Sequence, residues 1–228
     1  MRLLIIVAAI ALGCADRAGV GSVRAEPAVA ATPHTVAAAH ARALGLDPES
    51  RRHRVAVAWL TQHPDLAHPV LVRHLERHGP GWRHVPALLA PMGHPDGVPP
   101  LRAAMVAGDG GLAWDAAAAL GRHPDPTASD ALVAALSHEA SSVVQAALHG
   151  LSVRRDLSTC ADLVATLDHA SGPVRYAALD AGLEMACVPE HTLDRMRDDP
   201  NPGVSTRARV ARDAWRLAAA SFSGAPSP

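Results

Sequence analysis

Histidine offers this chain its widest chemistry. Fourteen are spread over 228 residues. Three stand in one repeated word, His-Pro-Asp, at His63, His94 and His123. Neutral imidazole is the commonest metal ligand and moves protons near neutral pH. A zinc ion holds its ligands about 2 Å away, so donor atoms must lie within ~4 Å of one another. No HExxH word and no Cys/His cluster provides that spacing. His74 and His78 stand four apart on one helix face, but that is half a site without a third ligand. Nucleophilic chemistry fares no better, because no GxSxG occurs. Ser158, Thr159 and Cys160 open a helix, a place that the capping preference of Ser and Thr already explains. The glycines of Ala107–Gly111 and the acids Asp198 and Asp199 fall in turns. The residues therefore predict no catalytic, metal or cofactor site, and a non-catalytic protein.

The elements that carry these residues repeat. Ala56, Ala87, Ala117, Ala147, Ala178 and Ala208 follow one another at steps of 31, 30, 30, 31 and 30. Leu71, Leu101, Leu132, Leu163 and Leu193 form a second column at steps of 30, 31, 31 and 30. Alanine is common here, but the leucine column is independent and keeps the same period. A period near 30 marks a stacked array in which each unit buries its apolar face on the next.

Each unit reads as two helices, A and then B. Leu132 with Leu136, and Leu163 with Leu167, are i,i+4 pairs on one face of helix A. The alanine column lies in helix B and predicts close approach to a neighbouring helix. An A-to-B turn recurs at Asp47, His78, Gly108, His138, His169 and Asp199. Three residues on, Ser50, Gly81, Gly111, Ser141, Gly172 and Pro202 suit the first turn of helix B. His-Pro-Asp then reads as the B-to-A turn: Pro disfavours helix at the preceding His, and Asp caps the next helix. Equivalent positions of stacked helices lie ~8–10 Å apart, too far for one column to form one metal site. The same tripeptide is the hallmark of J domains, but those carry one copy after a basic helix, and three copies on a period do not fit.

The N-terminus, Met1 to Cys14, has one Arg before ten apolar residues, Leu3 to Leu12. That is too short to span a membrane and right for the apolar region of a secretory signal. Ending in Gly13-Cys14, it resembles a bacterial lipoprotein signal, in which lipidated Cys14 becomes the mature N-terminus. The usual Leu three places before the Cys is replaced by Ala11. The expected organisation is a signal over 1–14, a flexible tether over 15–33, the array over 34–220 and a disordered tail over 221–228. Export would place the chain in the bacterial cell envelope, held to a membrane through Cys14. Cys160 and Cys187 could then form a disulfide. They stand about 9 and 18 residues from their hairpin turn, an offset of ~10 Å at 1.5 Å per residue. That offset exceeds disulfide reach and favours two buried thiols.

Gly172 to Leu183, "GPVRYAALDAGL", resembles HEAT-like repeats of the short type named after phycobilisome lyases. Val174, Arg175, Ala178, Ala181 and Leu183 carry the likeness, the Leu one place late. Val143, Ala147, Gly150 and Leu151, and Val204, Ala208 and Ala211, carry part of it. The resemblance implies an all-α fold, a right-handed solenoid of about six two-helix units whose helices B line a concave face. It implies binding of an unidentified protein or peptide. The candidate partner-binding face is the column Arg54, Val85, Asp115, Gln145, Tyr176 and Thr206. Its mixed chemistry offers no ladder for phosphates, and a net charge of −1 gives no case for nucleic acid. The alternative is an enzyme on the same scaffold, bilin-lyase-like or metal-dependent. Deoxyhypusine hydroxylases also resemble HEAT-like arrays, but they need several His-Glu pairs, and only His138-Glu139 occurs here.

Overall fold

Residues 32–223 are described in a computed structural model. The signal, Cys14 and nearly all of the tether lie outside them. Among the described residues the chain is helical, with twelve α-helices and no strand. They pair as six A–B units. The first is α1 (Pro33–Ala43) with α2 (Arg51–Gln62), and the second α3 (Pro64–Glu76) with α4 (Val85–Leu89). Next come α5 (Val98–Ala107) with α6 (Gly110–Arg122), and α7 (Thr127–Ala135) with α8 (Ser141–Arg154). The last are α9 (Cys160–Ala165) with α10 (Gly172–Glu184), and α11 (Glu190–Met196) with α12 (Pro202–Ser223). Second helices stack in order, α6 on α8, α8 on α10 and α10 on α12, and first helices stack α1 on α3 and α5 on α7. This is an α-solenoid.

Its core follows the period. Leu71, Leu101, Leu132, Leu163 and Leu193 are all fully buried, one per unit from the second. Ala56, Ala117, Ala147, Ala178 and Ala208 are equally buried in the second helices. Small residues there let the helices touch. A Cβ on Gly150 would sit 2.6 Å from the Ala117 carbonyl oxygen and 2.5 Å from a Leu132 methyl. Gly121 faces the Gly150 carbonyl in return.

The second unit breaks the register. Ala87 is exposed, and Pro86, one residue earlier, takes the buried place. Val85, expected on the partner-binding face, is fully buried. Pro86 and Pro91 hold α4 to five residues between two 3₁₀ turns, Trp82–His84 and Ala90–Met92. A 3₁₀ turn advances with a different periodicity, so the side chains rotate out of the frame set by full helices.

The turns explain why Asp and His share columns. Asp47 and Asp199 accept the backbone N–H two residues on through Oδ1, at 3.0 and 2.8 Å. His138 and His169 do the same through Nδ1, both at 3.0 Å. Both side chains place an acceptor where an Asx-type turn needs one. The capping column shifts slightly: Ser50 caps α2, but Asp109 caps α6, and Ser141 and Gly172 are first helical residues. Arginines staple successive turns. Arg175 donates to both oxygens of Asp199, each at 2.8 Å, and to the carbonyls of His169 and Ala170. Arg154 reaches back to the His123 and Asp125 carbonyls.

Cys160 and Cys187 form a disulfide, with Cα atoms 5.4 Å apart, and the expected offset does not arise. Helix α10 ends in a Schellman turn: the Cys187 N–H donates to the Gly182 carbonyl at 2.8 Å, and Ala186 takes φ 56°. The reversal folds Cys187 back towards the hairpin turn. The 3₁₀ stretch Thr166–Asp168 lengthens the first helix by its greater rise per residue. Both effects bring the two cysteines level.

Candidate functional site

Three second helices build a cavity of about 410 Å³. Helix α6 gives it Trp114, α8 gives Gln145, His149, Ser152 and Val153, and α10 gives Tyr176, Asp180 and Glu184. The positions obey the repeat: Trp114, Gln145 and Tyr176 stand 31 residues apart, as do His149 and Asp180. Trp114 is 39% exposed and Tyr176 41% exposed. Each forgoes burial that would stabilise the fold, in a chain with one Tyr and four Trp. The His149 ring stands 4.8 Å from the Trp114 ring, tilted. Burial holds the His149 pKa below its ordinary value; Glu184 opposes that shift and Arg122 adds to it.

The charged groups of the cavity lining are both carboxylates, beside N–H or O–H donors on Trp114, Tyr176, His149 and Ser152. The Gln145 amide nitrogen donates to the Ser141 carbonyl at 3.2 Å. The Glu184 carboxylate forms no ion pair among the described residues, while Asp180 pairs with Arg207 of the last unit. Ser152 donates to the His149 backbone carbonyl at 2.9 Å, not to its ring. Serine, histidine and carboxylate thus share a cavity without the nucleophile–base contact that acyl transfer needs.

Of the face read from sequence, Gln145 and Tyr176 line this cavity. Arg54, Asp115 and Thr206 are exposed outside its lining, and Val85 is in the core. Asp115 neighbours Trp114, which does line the cavity. His149, Asp180 and Glu184 lie one or two turns further along α8 and α10. The 31-residue spacing of His149 and Asp180 was the signal that could have found those two.

The His-Pro-Asp histidines divide. His63 bonds through Nδ1 to the Trp59 carbonyl at 2.8 Å and stacks on the Trp59 ring. His94 and His123 meet His68 of α3 around Gly97, so these histidines do not simply stay at their bends. The His68 and His94 rings are 4.4 Å apart. A Cβ on Gly97 would lie 3.4 Å from His68 Nε2 and 3.5 Å from His123 Nε2. Both residues are buried, and neither Nε2 has a hydrogen-bond partner among the described residues. His123 Nδ1 accepts the Asp125 N–H at 3.2 Å, so its neutral ring carries the proton on Nε2. That nitrogen has no lone pair for a metal in this tautomer. No group of three His, Cys, Asp or Glu among the described residues is spaced to hold a metal ion. Burial lowers the pKa of His68 and of His123; His94 and His123 add to the shift at His68, and Asp96 opposes it.

A second, larger concavity of about 1040 Å³ lies between α5 and α7 and is lined by small apolar side chains such as Val98, Ala103 and Ala131. It offers few polar groups to orient a ligand.

Residues 83–152 and 98–181 match the family profile of HEAT repeats, a range that runs from just before the second helix of the second unit into the second helix of the fifth. Among solved structures, the complex of CpcE and CpcF of phycocyanin lyase from a Nostoc species aligns at 20% identity with a TM-score of 0.43. That alignment covers 84% of this chain and 79% of that one. A designed armadillo repeat protein aligns at 17% identity with a TM-score of 0.44, covering 78% and 98%. No curated protein sequence matches.

Proposed function

We propose that this HEAT-repeat solenoid is a non-catalytic binding protein of the bacterial cell envelope. It presents the face made by its second helices, the concave face in arrays of this kind, to a protein or peptide. One observation carries the reading: Trp114 and Tyr176 stand part-exposed in one groove at the repeat spacing, where packing alone would bury them. Partly exposed aromatics in a concavity are the usual anchors of recognition. Envelope location rests on the signal-like N-terminus, whose resemblance to a lipoprotein signal would make Cys14 the lipidated residue. The Cys160–Cys187 disulfide supports it, since such bonds persist in oxidising compartments.

The test is retention of a partner from envelope fractions by the full chain and by the double variant Trp114→Ala, Tyr176→Ala. One protein held by the parent and lost by the variant is the expected result. Equal retention by both, or nothing above background, contradicts the reading. Metal analysis and an absorbance scan of the purified protein test the alternative. Stoichiometric metal or a chromophore would favour an enzyme. Replacing Cys14 with Ser is expected to release the protein from membranes; undiminished membrane association would refute the anchor.

A further inference from the structure

We infer that the Trp114–Tyr176 cavity takes a cationic side chain of the partner, arginine before lysine. The inference rests on the reading above that this face is the working surface, and it names the chemistry the face selects.

The cavity lining contains two carboxylates, Asp180 and Glu184, and no Arg, in a chain whose 21 basic residues are all Arg. Asp180 is answered by Arg207, but Glu184 has no ion pair among the described residues. Gln145 is held by its bond to Ser141 and adds an amide oxygen that can accept. Trp114 and Tyr176 complete the lining, and an aromatic face is the negative part of its ring. His149, held neutral by burial, adds no positive charge at pH 7. An occupant that carries positive charge and offers a flat or apolar stem to the rings fits this lining. A guanidinium does both: it forks onto a carboxylate and stacks on aromatic faces. An ammonium meets the first with poorer fit. An acidic or neutral side chain would leave the Glu184 charge unanswered or opposed.

The experiment uses the full chain and blocked pentapeptides Gly-Gly-Xaa-Gly-Gly, with Arg, Lys, Gln or Glu at the centre. The readout is the shift of the four indole N–H signals and the Tyr176 ring signals by NMR. The Arg peptide is expected to move Trp114 and Tyr176 signals saturably and to leave Trp59, Trp82 and Trp215 in place. Lys should bind several-fold more weakly, and Gln and Glu should show no saturation. Glu184→Gln, an exposed change that leaves the fold alone, should weaken the Arg peptide roughly two- to fivefold. Binding should also weaken as His149 takes up a proton below its ordinary pKa of ~6.5. Equal binding of Gln or Glu peptides, or an unchanged affinity in Glu184→Gln, overturns the inference. If a partner is still lost on replacing Trp114 and Tyr176 while the Arg peptide moves nothing, the cation inference falls and the binding surface stands.

Discussion

Close contact between successive second helices can be tested at two glycines. Gly150 lies inside α8, where a methyl group would meet the Ala117 carbonyl oxygen at 2.6 Å. Ordinary carbon–oxygen contact begins near ~3.2 Å, so α6 and α8 must part by roughly half an ångström. The Leu132 methyl at 2.5 Å can rotate aside, but the backbone oxygen cannot. Overpacking of this kind costs ~1–3 kcal/mol, against ~1 kcal/mol gained in helix propensity on replacing Gly by Ala. Gly150→Ala should therefore destabilise by up to ~2 kcal/mol. For an array of this length that is a fall in Tm of up to roughly 8 °C. Gly110, the first residue of α6, is the control, because a methyl there meets nothing within 4 Å. Gly110→Ala should be neutral or stabilise by up to ~1 kcal/mol. Thermal unfolding followed by circular dichroism, with urea titration as a second measure, reads both. Stabilisation of Gly150→Ala equal to that of Gly110→Ala would refute the close-contact account of the small-residue column.

Three further outcomes follow from the turns and the staples. Reducing Cys160–Cys187 opens a link between residues 27 apart and should cost ~2–4 kcal/mol; an unchanged urea midpoint with and without dithiothreitol would contradict it. Arg175→Ala strands the buried Asp199 carboxylate, which its bonds to Arg175 hold below the usual pKa. That variant should lose about 3 kcal/mol at pH 7, and an effect under ~1 kcal/mol would show the pair to be ornamental. His68 and His123 have pKa values depressed in the fold, first by burial, and face His94, Asp65, Asp96, Asp125 and Arg154. Their contribution is full above ~6.5, the unfolded value, and falls as pH drops below it, by up to ~1.4 kcal/mol per pH unit for each proton taken up on unfolding. Urea midpoints should thus decline from pH 7 to pH 5, and less steeply in His68→Gln; a flat profile rules out the buried pair as the acid-sensitive element.

Much of the fold was legible in the sequence because burial in a stacked array recurs at a fixed step. Five leucines one period apart are all fully buried. The reading failed where backbone geometry changed the step. Around Pro86 two 3₁₀ turns rotate the frame, so Ala87 faces solvent and Val85 enters the core. At Ala186 a left-handed residue reverses the chain and brings Cys187 to Cys160, and nothing in the local composition announces an alanine in that conformation. The candidate site was half legible. Gln145 and Tyr176 follow from the period, but one column samples one turn per helix. Trp114 sits beside the residue chosen in its unit, and His149 and Glu184 belong to neighbouring turns of the same face. The meeting of His68 with two turn histidines needed the stacking of α3 on α5, which sequence spacing does not specify.

The face assignment is tested most directly by site-specific photo-crosslinking in cells that make the full chain. A photoreactive residue at Gln145, inside the cavity of the second helices, is compared with one at the exposed Arg102 on α5. The account predicts a discrete adduct from position 145 and none from 102. Adducts from 102 alone, or the same adducts from both positions, would contradict it.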